Sequence, residues 1–168
     1  MLNSTIGNQK CLLLSDYWDG QRDETLYADL KNLKRLEIPK KTTPMIQPCD
    51  VYYNQQYKYF VQKMHHHVRL YDLDIHLAQR NNIIKLKSPV YNQLSSPKFY
   101  SMMQYSWYQS GYLTTNPSAF ENVKETSFAL DDDHCHLQGC ADPTSFIKCA
   151  YCDDVLCLKH FFENYHFH

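Results

Sequence analysis

The sequence predicts an α/β chain with a mostly helical second half and a small Cys/His module at its C-terminal end. Three observations carry that reading. A short apolar run, residues 10–15 (KCLLLS), stops at Asp16, the pattern of a buried strand that ends in a carboxylate. Apolar and aromatic residues recur at helical spacing between residues 51 and 107. From residue 134 onward stand five of the seven cysteines and five of the nine histidines.

Composition sets the frame. At 168 residues the chain has room for one domain of common size and a small appendage. It is 43% hydrophobic and 21% charged, which is globular rather than disordered. The formal net charge of −1 gives no whole-chain attraction to nucleic acid, although Lys and Arg gather in residues 31–41 and 58–98 while Asp clusters at 131–133. No apolar run reaches the ~20 residues of a membrane span, and the first residues carry no secretory signal. Cysteines of such a chain belong in a reducing compartment, where close-spaced Cys and His mean metal more often than disulfide.

The elements follow in order. After the strand at 10–15, residues 23–34 read as an amphipathic helix with Leu26, Leu30 and Leu33 on one face, and Arg35–Ile38 as a second short strand stopped by Pro39. Residues 39–50 hold three prolines and no helical period, so an ordered loop is expected. Pro48 stands where a helix can begin, and 51–66 carries helical spacing. Further helices are expected over 68–86 and from Ser95-Ser96-Pro97 to Trp107. A turn-rich break at 111–117 opens a linker, 112–133, between a first region (1–111) and the Cys/His module (134–168).

The module has the sharpest spacing. Cys149-x2-Cys152 and Cys157-x2-His160 each let one tight turn present two ligands to a tetrahedral Zn²⁺. Two zinc ions in a cross-braced arrangement would use Cys135, Cys140, Cys157 and His160 at one site and Cys149, Cys152, His166 and His168 at the other. A single ion held by Cys149, Cys152, Cys157 and His160 is the simpler alternative. The interval between those two pairs is short for one knuckle, which favours two ions. His134 and His136 compete with Cys135 for the first ligand position. His65, His66 and His67 are consecutive, so on a helix they point about 100° apart and cannot share an ion. Cys11 and Cys49 read as plain thiols.

The stretches CLLLSDYWDGQRD (11–23), IPKKTTPMIQPCDVYYNQQYKYFVQKM (38–64) and RNNIIKLKSPVYNQLSSPKFYSMMQYSWYQSGY (80–112) resemble the catalytic region of DDE transposases of the pogo and Tigger kind. The middle stretch is the most specific, with its Thr-Thr pair and Gln-Pro-x-Asp. FIKCAYCDDVLCLKHFFENYH (146–166) is similar to the Cys/His tail that some transposable-element proteins carry after the catalytic domain. The resemblance implies an RNase H-like fold in which three carboxylates hold two divalent metals. Asp16 matches the second carboxylate and Asp50, of Gln-Pro-x-Asp, the third. Mg²⁺ or Mn²⁺ between them would clamp the attacking and leaving oxygens of a phosphodiester. Only 15 residues precede Asp16, and none is Asp or Glu, so the first carboxylate has no counterpart.

The expectation is therefore a partial, truncated RNase H-like core followed by a zinc module. It would be a transposable-element-derived, nucleic-acid-associated, nuclear protein without independent catalysis, with Asp16 and Asp50 as vestigial metal ligands. DNA is the partner the resemblance implies, and the zinc module suits protein partners equally well. If the first carboxylate comes from upstream or from another chain, the alternative is a metal-dependent DNA endonuclease or transposase. A cross-braced adaptor of the ubiquitin-ligase type is a more distant third reading. A strand at 10–15 deprived of partners would leave an unpaired edge and a chain of marginal stability.

Overall fold

The computed structural model describes residues 9–21 and 23–168 and shows a mixed fold of helices with two small sheets. The elements are strands β1 (Cys11–Ser15) and β2 (Leu33–Glu37), helices α1 (Thr43–Ile46), α2 (Asn54–Leu70), α3 (Arg80–Leu94), α4 (Tyr100–Gln109) and α5 (Val123–Ser127), and the hairpin strands β3 (Ile147–Lys148) and β4 (Val155–Leu156). No helix among the described residues is long and apolar enough to cross a membrane.

β1 does find a partner. It pairs in parallel with β2, Leu13 opposite Arg35, and Ile38 N–H extends the ladder onto the Ser15 carbonyl at 2.8 Å. This pair and the β3–β4 hairpin are the only sheets among the described residues, each of two strands. The helix expected over 23–34 is replaced by a single 3₁₀ turn, Glu24–Tyr27. The Asp23 carboxylate accepts from the Thr25 N–H at 3.0 Å and hydroxyl at 2.6 Å, closing one turn locally. Leu33 then enters β2 and is half-buried there, as is Leu30, while Leu26 remains exposed, so the three leucines form no common helix face.

Two other expectations need correction. The loop at 39–50 contains the short helix α1, with Pro44 in its first turn, where the lost N–H costs no hydrogen bond. The wide turn Cys49–Tyr53 then leads directly into α2. The helix expected over 68–86 is two helices. α2 stops at Leu70 because Asp72 takes a left-handed backbone (φ 48°), and the Leu73 N–H folds back onto the Val68 carbonyl at 2.9 Å. Leu77, read as helical, is buried from the loop instead. The helix expected from Ser95 forms as a 3₁₀ turn at Pro97–Phe99 running into α4, with the Ser96 hydroxyl accepting from the Lys98 N–H at 3.4 Å.

One hydrophobic cluster joins the helices to the hairpin. Phe60 and Met64 of α2, Leu86, Val90 and Leu94 of α3, and Phe99 and Met102 pack with Val123, Phe146, Ile147, Leu156, Phe161 and Phe162. Residues 112–133, expected as a linker, thus contribute Val123 to this core through α5. That helix has a complete capping box: Asn122 accepts from the Lys124 and Glu125 amides, and Glu125 reaches back to the Asn122 N–H. Phe60 is fully buried, with Phe161 stacked against it at 5.7 Å and Phe128 edge-on at 5.1 Å. Removing that ring should cost about 3–5 kcal/mol in Phe60→Ala. Urea denaturation would read it, and a loss below about 1 kcal/mol would show a loosely packed site.

His67 lies on the inner face of α2 against Phe146 and Tyr71, and its Nε2 is buried without a hydrogen-bond partner. Burial holds its pKa below the usual 6.5, aided by His66 and opposed by Asp142. The folded state therefore binds this proton less readily than the unfolded chain. Its contribution to stability is complete above pH ~6.5 and is lost as pH falls through the lower folded-state value. His67→Phe, which removes the orphan nitrogen, should give a shallower acid-side loss of stability than the parent chain, measured by denaturant midpoints across that range.

Candidate metal centre

Two loops and a turn build the C-terminal site around the short hairpin. The Phe146 N–H donates to the Leu156 carbonyl and the His136 N–H to the Val155 carbonyl, both at 2.8 Å, so the 135–136 segment and β3 flank β4. The Cys149–Asp154 turn closes through the Cys149 N–H on the Asp154 carbonyl (2.8 Å) and the Asp153 N–H on the Cys149 carbonyl (3.0 Å), with Asp153 left-handed at φ 65°. Gly139, at φ 78°, bends the chain so that Cys140 returns toward Cys135. After β4, Cys157 opens the helical turn Lys159–Glu163, which carries His160. Tyr165, at φ 53°, then reverses the chain before His166 and His168.

The result is two four-residue clusters. Cys135, Cys140, Cys157 and His160 form one, and Cys149, Cys152, His166 and His168 the other. Within each, the ligand atoms all lie within 4.8 Å of one another. The pairs interleave along the chain, so Cys149-x2-Cys152 and Cys157-x2-His160 belong to different clusters. The single-ion arrangement of those four is not the one formed. Cys135 occupies the contested first position. His136 is engaged elsewhere: its Nδ1 accepts from the Val155 N–H at 3.2 Å and its Nε2 lies 3.4 Å from Asp132. His134 is exposed, with Nδ1 3.3 Å from Asp132.

The spacings fit a tetrahedral ion. Zn–S near 2.3 Å and Zn–N near 2.0–2.1 Å require edges of about 3.8 Å between sulfurs, about 3.5 Å between S and N, and about 3.3 Å between nitrogens. The first cluster has Cys140 Sγ to Cys157 Sγ at 3.8 Å, and His160 Nδ1 at 3.3 Å from both Cys135 Sγ and Cys157 Sγ. The second has Cys152 Sγ to His166 Nε2 at 3.4 Å, close to the S–N edge, while His166 Nε2 to His168 Nε2 at 2.9 Å is shorter than the N–N edge, so these two imidazoles would have to part slightly around an ion. A Cys₃His and a Cys₂His₂ donor set are soft and compact, which suits zinc and disfavours Mg²⁺ or Ca²⁺. Zinc, when bound, would supply cross-linking and charge compensation between thiolates.

Without a metal, burial keeps the Cys152 and Cys157 thiols protonated. Burial, then the Cys135 and Cys140 sulfurs, push the Cys157 thiol up to about 12; burial and Cys149 push Cys152 up to about 12 as well. Burial and the neighbouring His168 hold His166 below its usual value, favouring the neutral ligand form. A divalent cation, when bound, would displace the thiol protons and compensate the thiolates so formed.

The carboxylates are another matter. Asp16 follows the end of β1, and Asp50 sits exposed in the Cys49–Tyr53 turn, where it accepts from the Asn54 side-chain amide at 2.5 Å. Neither belongs to a cluster of three or more possible metal ligands among the described residues. His65 and His66 are exposed while His67 is buried, so these three do not converge.

Sequence reasoning missed the residues that grip the second cluster from outside. Gln93, Ser96 and Lys98, at the α3–α4 junction, contact Cys149, Ala150 and Asp153. Nothing in the local pattern marks them, because their partners lie more than fifty positions away.

Residues 107–168 match the family model described as the Tc5 transposase C-terminal domain. The match supports a transposase. It covers somewhat more than a third of the chain and contains all eight clustered ligands. No curated protein and no solved structure matches the chain significantly.

The geometry leads to a stoichiometry. Zinc titration of the full chain, followed by mass spectrometry under native conditions, should give two ions. Cys140→Ser and Cys152→Ser should each reduce this to one and lower the melting temperature. Binding of one ion, abolished equally by both substitutions, would contradict two separate centres.

Proposed function

We propose that this chain is a transposase-derived, DNA-associated nuclear protein whose C-terminal Cys/His module is a two-zinc structural element. The observation that carries the reading is the pairing of eight ligands into two tetrahedral-sized clusters within the segment that matches the transposase C-terminal domain. The preceding residues are read as part of an RNase H-like core on the strength of the resemblance around Asp16 and Asp50, with the parallel β1–β2 pair and the helix start after Asp50 as its elements.

Independent catalysis is not part of the proposal. Two carboxylates hold Mg²⁺ weakly, and in-line phosphoryl chemistry needs a fixed pair of ions. Endonuclease or strand-transfer activity would require a third carboxylate from elsewhere. Its signature would be Mg²⁺-dependent nicking that disappears in both Asp16→Asn and Asp50→Asn.

Charge assigns the DNA contact to the helices. Residues 131–168 contain seven acidic side chains (Asp131, Asp132, Asp133, Asp142, Asp153, Asp154, Glu163) against two basic ones. Those two, Lys148 and Lys159, include one already paired: Lys148 lies 3.3 Å from Asp131. α2 and α3, with the loop between them, hold Lys58, Lys63, Arg69, Arg80, Lys85 and Lys87 against Asp72 and Asp74. A polyanion is attracted to the second group and repelled by the first. The module is thus a stiffener that presents the helices, and its own surface suits a protein partner.

Gel-shift titration of duplex DNA against the full chain at two salt concentrations tests this. Binding should weaken steeply with salt, and Lys58→Gln combined with Lys87→Gln should weaken it uniformly across sequences and lower the salt slope by roughly 1–2. Lys159→Gln should leave it unchanged. Absence of salt-dependent binding to terminal-repeat-like and random duplexes alike would leave the protein-partner reading in its place.

A further inference from the structure

Two neighbouring side chains of α3 reach the second ligand cluster: Asn92 donates to the His168 carbonyl at 3.4 Å, and Gln93 meets a ligand atom itself. Gln93, near the end of α3, is fully buried at 0% exposure. Its Nε2 lies 3.4 Å from the Cys149 Sγ, and its Oε1 accepts from the Ala150 N–H at 2.7 Å. The orientation of this amide follows from chemistry. The Ala150 N–H can only donate, so the oxygen must face it and the amide N–H must face the sulfur. Two further contacts immobilise the same loop. The Ser96 hydroxyl donates to the Ala150 carbonyl at 2.7 Å, and Lys98 forms an ion pair with Asp153. Both backbone polar groups of Ala150, between the two cysteine ligands, are thereby held by the α3–α4 junction.

The sulfur contact is informative because of what a buried donor requires. A neutral thiol accepts hydrogen bonds weakly, so an amide N–H buried against one is poorly satisfied. A thiolate is a charged acceptor and repays the burial. A metal-bound thiolate at Cys149 would therefore satisfy the buried Gln93 N–H better than a thiol would.

Resting on the two-zinc reading above, we infer that Gln93 is a positioning residue for the Cys149 site. It fixes the Sγ, stabilises its thiolate through the Nε2–H···S contact, and anchors the loop through Ala150. Metal occupancy at this cluster and the packing of the end of α3 are consequently coupled. The Cys135 cluster has no such link to Gln93, so the two sites differ in their dependence on it. Outer-shell groups of this kind typically change metal affinity 10–100-fold.

The test uses the full chain loaded with Zn²⁺ or Co²⁺ and titrated with a competing chelator. Gln93→Met, of similar length but without the amide, should weaken one of the two ions about 10–100-fold and leave the other unchanged. In the cobalt form, the thiolate-to-metal band of the affected ion should move to lower energy, because a sulfur stripped of its hydrogen bond donates charge more readily. Gln93→Glu keeps an acceptor for Ala150 but loses the donor, and should not restore affinity. Val90→Ala, a cavity on the same helix, should lower stability without moving the band. In the unmutated zinc-loaded chain, the Gln93 side-chain amide protons should be protected from exchange and should lose that protection on chelation. Unchanged affinity and an unchanged band in Gln93→Met, or free exchange of that amide in the loaded protein, would overturn the inference while leaving two zincs in place. Failure of the parent chain to take up metal would instead remove the zinc reading itself, and this inference with it.

Discussion

Phe161 is the point on which the rest of the molecule depends. Its ring is fully buried, stacked on Phe60 of α2 and tilted against Phe146 beside β3. Its backbone neighbour is His160, a member of the first ligand cluster. The turn that presents a ligand and the turn that fills the core are the same five residues. Ligand geometry and core packing therefore constrain each other, and neither the helices nor the Cys/His loops can be treated as an appendage of the other.

That coupling explains how such a small hairpin holds its shape. β3 and β4 contribute two residues each, far below what a free hairpin needs. Their stability comes from burial of Ile147, Val155 and Leu156 and from the helical junction clamping Ala150. β1 and β2, by contrast, contribute nothing to the shared hydrophobic cluster. A cleft of about 530 Å³, lined by Leu12 and Leu14 on one side and Leu94, Tyr100 and Trp107 on the other, lies between that sheet and the helices. The firm part of the fold is the C-terminal two-thirds, where ligands and aromatics coincide.

Charge is distributed on the same plan. The acidic ligand module and the basic α2–α3 pair are separate in sequence yet share one core. Under the reading proposed above, a metal in the module would act on DNA binding indirectly, by stiffening the core that the helices share with it.

The sequence by itself determined the elements with short-range causes. The strand at 11–15, the helix after Pro48, the serine-capped start before α4 and the ligand-bearing residues from 135 to 168 all follow from spacing, caps and donor chemistry that operate within a few residues. It misplaced the segments where a local competitor won: Asp23 closing a single turn onto Thr25, and Asp72 ending α2 with a left-handed residue inside an apparently continuous stripe. The cross-braced division of the eight ligands was also legible, but only the tertiary structure chose it over the single-ion set, because that choice depends on β4 bringing His136 and Cys135 alongside Cys157, and on Tyr165 turning the last residues back toward Cys149. It alone showed that α5 seals the core and that Gln93 reaches Cys149, since contacts across fifty or more residues are set by packing and leave no period in the chain.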